Sequence, residues 1–287
     1  MTATTLRPAR WKGLSARSVL TAVAIAALVF AWLFLVQRDF FLDARAYWSA
    51  DLDDLYGGSL VGRRGTYLYS PPFAQLFWPA TLLPWTVFAA LFCALNLAVL
   101  AWMAGPILAA VLLFLPFSPV TDEITTGNIH LLIGAAIVIG FRWPAAWAFP
   151  LLTKVTPGVG VLWFAGARAW RSLALAIGST LAIAAISFIL APGAWFEWIG
   201  LLGRSSSVAV PAEIGVIPGP LWARTAAAAA LVLVGGWRGW RWTVPAAAAL
   251  ALPVTWSSGL SVLVALIPLY GLRDLRQTAW NRSAVET

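Results

Sequence analysis

Long apolar runs separated by short polar segments dominate this chain. The longest runs carry at most one charged residue each, and they reach or approach the roughly 20 residues that a helix needs to cross a bilayer. They are residues 18–36, 85–104, 172–191 and 219–236. Shorter apolar segments lie at 71–83, 106–119, 125–140, 144–153, 156–167, 243–256 and 259–271. The runs are rich in alanine and leucine and do not alternate, which favours helices over the strands of a barrel.

The composition identifies the solvent of this fold as lipid. The chain is 61% hydrophobic and only 10% charged, whereas soluble domains are about a quarter charged. We therefore predict an all-α polytopic membrane protein, with a bundle of about eight to ten transmembrane helices, several of them short or broken. The predicted division is a basic N-terminal tail at 1–17, a single transmembrane domain at 18–272 and a tail at 273–287.

The charges predict an orientation. Basic residues precede the first apolar run, which lacks a small-residue cleavage site, so we expect it to be retained as helix one. If the N-terminus is cytoplasmic and 71–83 is an interfacial or re-entrant segment, most acidic residues face outward and most arginines face inward, as the positive-inside rule requires. Both termini are then cytoplasmic. The frequent Ala, Arg and Trp indicate a bacterial chain, so we expect the membrane to be the plasma membrane. The arginines are scattered and form no patch, which argues against nucleic acid as a partner.

An acidic loop follows helix one. Five of the eleven acidic residues lie within 39–57, and Asp43 shares a helical face with Tyr47. A loop carboxylate is most often a solvated charge. The D-x-D-D pattern at 51–54 could hold a divalent ion, but we favour capping or solvated acids, because the chain has no nucleotide-binding domain. We expect neither a metal ion nor a cofactor.

A broken helix surrounds Lys154, one of two lysines in the chain. Thr156 can cap the second half and Pro157 suits its first helical position, so free N–H groups would point outward from Thr156 to Gly158. Such a helix start attracts anions, and lysine is a compact charge suited to phosphate. The alternative is that Lys154 only extends its ammonium to the membrane interface.

A third polar group lies in TDEITTGNIHLLIG, at the predicted outer end of segment 125–140. It contains Asp122, Glu123, Asn128 and His130, the only histidine. A lone histidine on an apolar helix is usually a core or interface residue, but the neighbouring acids could hold a polar ligand. A zinc site is excluded, because no second histidine or thiol accompanies His130.

The order of these segments resembles glycosyltransferase family 87, within the GT-C superfamily of polyprenyl-phosphate-sugar-dependent membrane enzymes. The matching stretches are LDARAYW, DDLYGG, YLYSPPFAQLFWPATLLP, TTGNIHLLIG and LLTKVTPGVGVLWFAGARAW. They span about residues 39–171. Two departures from the family pattern are present. Asn128 and His130 replace a Gln and an Asn, and two residues separate Lys154 from Pro157.

The resemblance implies a general base on the aspartate after helix one, which is Asp43. We expect the donor phosphate to be bound by Lys154, Thr156, Gly158 and Arg45. The predicted substrate-binding residues are Tyr47, Tyr69, Asp122, Glu123, Asn128 and His130.

The implied activity is inverting transfer of a sugar, most simply mannose, from a polyprenyl-phosphate donor to a glycolipid or lipoglycan acceptor on the extracytoplasmic face. A single displacement needs one carboxylate rather than two. Two alternatives are a transporter or flippase of lipid-linked sugars and a shortened relative without activity. Transporters also use broken helices, but they usually place ionisable residues near the membrane centre, whereas these residues cluster at one outer edge.

Overall fold

The computed structural model describes residues 40–57, 66–115, 118–206 and 216–270. Predicted helix one and both predicted tails lie outside these ranges. Within them the chain is helical and forms no strand. The α-helices are α1 Leu42–Trp48, α2 Pro71–Thr81, α3 Trp85–Ala104, α4 Pro106–Phe114, α5 Pro119–Thr126, α6 His130–Gly140, α7 Ala148–Thr153, α8 Leu162–Gly166, α9 Trp170–Leu190, α10 Pro192–Ser206, α11 Leu221–Arg238 and α12 Thr243–Leu250. The 3₁₀ helices are Pro144–Trp147, Thr156–Val161 and Ser257–Ala265.

Among these elements, α3 and α9 are long and apolar enough to cross a membrane. The pair α4 and α5, bent by 84°, adds a third span if the two count as one. Helix α9 presents most of its apolar side chains outward, including Leu181 at 62% and Ile189 at 78% exposure. An apolar surface of this extent requires lipid as its surroundings. The chain is therefore embedded in a membrane, and the number of crossings stays a prediction.

Several predicted boundaries agree with the structure. Helix α3 has the predicted limits of 85–104, and α2 begins with Pro71 after Ser70 at the N-cap. The predicted break at Lys154 is also present, because α7 ends at Thr153 and the next helical turn begins at Thr156.

Two predicted segments are divided differently. The predicted segments 106–119 and 125–140 form three helices, because α5 lies between α4 and α6. Gly127, at φ 66°, ends α5 in the left-handed conformation that glycine adopts without a steric penalty. Asp122 and Glu123, which we predicted in an outer loop, therefore lie within α5.

Helix α6 lies in the core of the described bundle. Its buried side chains include His130, Leu131, Ile133 and Ile137. The 3₁₀ helix Ser257–Ala265 packs along it closely, since a Cβ at Gly134 would lie 3.3 Å from the Val262 carbonyl oxygen. Trp147 packs on the far end, where a Cβ at Gly140 would lie 2.6 Å from the indole nitrogen. This packing holds the first residue of α6 in the interior of the protein.

Helices α8 and α11 approach each other through glycine. A Cβ at Gly166 would overlap the carbonyl of Leu233, and a Cβ at Gly236 would overlap the carbonyl of Trp163. Small residues at such crossings allow close backbone contact, which drives helix association in membranes.

Arg224 connects the start of α11 with the end of α12. Its guanidinium donates to the carbonyls of Gly219 at 3.1 Å, Leu250 at 3.1 Å, Leu252 at 2.9 Å and Pro253 at 3.1 Å. These carbonyls lie at a loop and at a helix end, where backbone acceptors lack partners within the helix. The arginine therefore satisfies backbone groups that water would otherwise have to reach.

We predict that Gly236→Ala lowers the melting temperature, because the new Cβ meets backbone atoms that cannot move without separating α8 from α11. Overpacking of this kind costs about 1–3 kcal/mol. The matched control is Gly178→Ala in α9, where a Cβ meets nothing within 4 Å and alanine favours the helix. Tryptophan fluorescence during heating in detergent measures both variants. Equal melting temperatures would contradict the close crossing.

Candidate active site

Helix α1 docks on the turn between α5 and α6. The Phe41 N–H donates to the Thr125 carbonyl at 2.7 Å. Gly127 permits the contact, because a Cβ there would lie 2.6 Å from both Phe41 Cδ1 and Ala44 Cβ. Phe41 and Ala44 are fully buried. This docking brings Asp43 to the residue that follows the turn.

That residue, Asn128, joins Asp43 to Lys154. Its Nδ2 donates to Asp43 Oδ2 at 2.5 Å. Its Oδ1 accepts from the Ile129 N–H at 2.8 Å and from Lys154 Nζ at 3.3 Å. Because both donors approach Oδ1, the amide has one consistent orientation, with its NH₂ group toward the carboxylate.

Lys154 continues the chain of contacts into the core. Its Nζ lies 2.6 Å from His130 Nε2, and His130 Nδ1 lies 2.9 Å from Glu123 Oε2. The other oxygen, Glu123 Oε1, accepts from the Leu131 N–H at 3.1 Å. We call Asp43, Asn128, Lys154, His130 and Glu123 the polar network.

The polar network places one ammonium between two carboxylates, with different exposure at its two ends. Asp43 and Lys154 are partly exposed, whereas Glu123 is 0% and His130 1% exposed. Charged groups removed from water need hydrogen-bonding partners, and each end of the network supplies them. An incoming ligand can therefore contact the end with Asp43 and Lys154, while the end with Glu123 and His130 is enclosed by protein.

Two buried tyrosines border the open end. Tyr47 and Tyr69 share a hydrogen bond of 2.9 Å between their hydroxyls, and Lys154 Nζ lies 5.8 Å from the centre of the Tyr69 ring. Burial raises the pKa of both phenols well above the usual value, and the negative charge of Asp43 adds to the shift. Both phenols are therefore neutral at physiological pH, and the one that accepts in their shared hydrogen bond keeps its own O–H to donate.

The predicted site residues Asp122 and Arg45 are not part of the polar network. Asp122 accepts from the Ser257 hydroxyl and, at 2.9 Å, from the Ser258 N–H, so its carboxylate caps the 3₁₀ helix that begins there. Arg45 is exposed, and its guanidinium lies 5.4 Å from the centre of the Trp85 ring. The Asp122 carboxylate thus joins two helices instead of pointing toward the open end of the network.

The predicted phosphate-binding helix start differs in the structure. Val155, not Thr156, precedes the first helical residue, and the Thr156 hydroxyl is buried without a hydrogen-bond partner in the described part of the chain. The Gly158 N–H donates to the Val155 carbonyl at 3.0 Å, and a Cβ at Gly158 would overlap Leu151. The prediction of a free N–H is therefore wrong for Gly158, because the tighter 3₁₀ turn already uses it.

The remaining acids of the first loop form local turns. Asp51 Oδ1 accepts from the Asp53 N–H, and Asp54 Oδ1 accepts from the Gly57 N–H, both at 3.0 Å. Contacts of this kind are typical of aspartate in turns. Within the described ranges, no group of three His, Cys, Asp or Glu side chains is placed to hold a metal ion.

A sequence profile of glycosyltransferase family 87 matches residues 67–267, which is most of the chain. The chain belongs to this family. No curated protein and no solved structure matches it. Family membership confirms the resemblance seen in the sequence and, together with the apolar helices, makes the protein a membrane glycosyltransferase.

The match to family 87 covers the polar network unevenly. Glu123, Asn128, His130 and Lys154 lie inside the matched range, and Asp43 precedes it. The docking of α1 and the hydrogen bond from Asn128 connect Asp43 with the matched range.

Sequence reasoning missed the partners of Asp122, since Ser257 lies 135 positions further along the chain. A serine pair before an apolar segment is a signal for a helix start, but it does not reveal which distant acid completes the cap. Sequence reasoning also treated Glu123 and His130 as substrate contacts, whereas both side chains are enclosed in the structure.

We predict that Asp122→Ala destabilises the protein, because the 3₁₀ helix loses its cap and the Ser258 N–H loses its acceptor. Loss of a cap costs about 0.5–2 kcal/mol. Thermal unfolding in detergent should give a lower melting temperature than for Asp53→Ala, which removes an exposed carboxylate. A melting temperature equal to that of the control would show that the cap does not stabilise the fold.

Proposed function

We propose that this family 87 enzyme transfers a sugar, most simply mannose, from a polyprenyl-phosphate donor to a glycolipid or lipoglycan acceptor with inversion. The observation that carries the proposal is the polar network, in which Asn128 contacts both Asp43 and Lys154. A carboxylate that can take a proton and a cation that can receive a phosphate thus border one site. This pair matches the two demands of the reaction, since the donor already has a good leaving group.

Asp43 acts as the general base. The acceptor hydroxyl gives its proton to the Asp43 carboxylate while the hydroxyl oxygen forms a bond to the anomeric carbon of the sugar. The bond between that carbon and the phosphate oxygen breaks, and the electron pair leaves with the polyprenyl phosphate. The hydrogen bond from Asn128 orients the carboxylate, and the partial exposure of Asp43 leaves room for the acceptor.

Lys154 stabilises the departing phosphate, which gains one negative charge as the bond breaks. The Tyr69 ring, whose centre lies 5.8 Å from Lys154 Nζ, borders the same site. Because the Gly158 N–H is already used, we assign the phosphate to Lys154 rather than to the start of the 3₁₀ helix. Arg45 lies on the exposed side of α1, where it can contact a lipid headgroup.

An open groove next to α1 is the proposed path of the acceptor. It measures about 520 Å³ and is lined by Trp48, Asp51, Asp53 and Trp78, among others. Indole rings offer flat apolar surfaces and carboxylates accept hydroxyl hydrogens, and both suit a sugar.

The proposed topology places this site on the extracytoplasmic face of a bacterial plasma membrane. In support, arginines gather at the opposite end of α6 from His130, where Arg241 lies 5.1 Å from the centre of the Phe141 ring and Arg142 is exposed. The 11 residues of α6 separate the two ends by about 16 Å. Arginine-rich ends are typical of the cytoplasmic side, and the proposed topology places both termini on that side as well.

The first test is Asp43→Asn, assayed by the transfer of radiolabel from polyprenyl-phosphate mannose to lipid in membranes that contain the protein. We expect a loss of about 10²- to 10⁴-fold, as for removal of a general base. Asp54→Asn is the matched control, because Asp54 is an exposed acid of the same loop that does not line the groove, and the Asn oxygen can still accept from the Gly57 N–H. It should keep the wild-type rate. Full transfer by Asp43→Asn would remove this residue as the base. Donor translocation without transfer by the wild type would identify a flippase instead.

The second test is Lys154→Met, which removes the cation and keeps an unbranched side chain. The rate constant kcat should fall by about 10²- to 10³-fold, because the leaving phosphate loses its charge partner. Lys154→Arg keeps the charge and should lose less. Steady-state kinetics with a varied donor concentration measure both, and thermal unfolding in detergent verifies that each variant folds. A kcat within threefold of the wild type would contradict the role of Lys154.

A further inference from the structure

Glu123 and His130 form an enclosed pair behind Lys154. Their side chains are 0% and 1% exposed, so a substrate at the open end of the polar network does not reach them. Their hydrogen bonds run in sequence from Glu123 to His130 and from His130 to Lys154. We infer that Glu123 and His130 are positioning residues that hold the Lys154 ammonium in the orientation that receives the donor phosphate. This inference depends on the proposed role of Lys154.

The contacts of Glu123 select one tautomer of His130. An ionised carboxylate only accepts hydrogen bonds, and its two oxygens receive the Leu131 N–H and His130 Nδ1. Nδ1 must therefore carry a hydrogen. In the neutral ring the lone pair is then on Nε2, which faces Lys154 Nζ at 2.6 Å. With the opposite tautomer, two N–H donors would face each other at that distance.

The histidine also limits how the ammonium can rotate. Lysine has three N–H donors, and those of Lys154 meet His130 Nε2 at 2.6 Å and Asn128 Oδ1 at 3.3 Å. The third donor has no hydrogen-bond partner within the described ranges and is available to the phosphate. Two directional contacts thus fix the direction of the third.

Glu123 contributes charge as well as geometry. Along the polar network, its carboxylate and that of Asp43 lie on opposite sides of Lys154. A neutral His130 separates Glu123 from the ammonium, so the pair balances the charge of Lys154 from the enclosed side. Asp43 is therefore not the only anion that compensates Lys154, and it can accept a proton without leaving the cation unpaired.

Glu123→Gln tests the inference, because the amide has the shape of the carboxylate and presents one acceptor and one donor group. If the amide oxygen keeps the Leu131 N–H, its NH₂ faces Nδ1, which forces the proton of His130 onto Nε2, toward Lys154. We expect kcat to fall by about 10- to 100-fold, by analogy with metal-bound histidines that lose the partner orienting the ring. The KM for the acceptor and the melting temperature should change little. Glu197→Gln, the same change at an exposed position, is the matched control.

The tautomer can be observed directly, because His130 is the only histidine of the chain. ¹⁵N-histidine labelling, with an affinity tag that contains no histidine, gives NMR signals from this residue alone. The wild type should carry its proton on Nδ1 and Glu123→Gln on Nε2. A wild-type protein with the proton on Nε2 would overturn the inference, whatever the activity of the variants.

A double-mutant cycle separates positioning from mere packing. His130→Gln offers an amide that can present its oxygen to Lys154, so it should retain more activity than His130→Leu. In the His130→Gln background this amide can rotate, so Glu123→Gln should add little further loss, and the two effects on kcat are not additive. Additive losses that parallel the melting temperature would show a structural role and overturn the inference. If Lys154→Met retains wild-type kcat, the proposed function of Lys154 itself fails; if only Glu123→Gln retains it, the positioning role fails alone.

Discussion

A lysine side chain that is partly removed from water inside a membrane protein needs partners that replace the water. At Lys154 those partners are a histidine nitrogen, an amide oxygen and the carboxylates beyond them. None of these partners is adjacent to Lys154 in sequence, so the fold has to bring them together. Helix α1, the turn before α6 and the break before the 3₁₀ helix Thr156–Val161 meet at this site. The irregular backbone in this region is tolerated because these side chains line a site within the protein.

The helices around the site are short, and two of them end next to a residue of the polar network. Gly127 stops α5 directly before Asn128, and α7 stops directly before Lys154. The long helices α3 and α9 contribute apolar surface and contain no residue of the polar network. The long helices thus match the apolar interior of the bilayer, whereas the interrupted helices carry the residues of the polar network.

Sequence patterns predicted the helix limits that depend only on neighbouring residues. The limits of α3 follow from an uninterrupted apolar run between Pro84 and Gly105, and the break at Lys154 follows from a polar residue before Pro157. The sequence patterns failed to predict short helices, the type of one helical turn and contacts between distant residues. Ser118, Pro119 and Gly127 are local signals of a separate short helix, although the apolar runs on either side predict two longer segments. Nothing local indicates that the turn at Thr156 is 3₁₀ and leaves Thr156 without a cap role. The contact of Asn128 with Asp43, 85 positions away, required the folded chain.

The backbone of Phe41 has a consequence for the motion of α1. This residue has a φ of 60°, a conformation that costs a side chain with a Cβ about 1–2 kcal/mol. The burial of its ring and its hydrogen bond to Thr125 offset that cost only while α1 stays docked. Local unfolding of this seven-residue helix would release the strain, so we expect the Phe41 amide to exchange its hydrogen when α1 undocks, without unfolding of the whole protein. The carboxylate of Asp43 is thus carried by a short helix whose docked state contains backbone strain at Phe41.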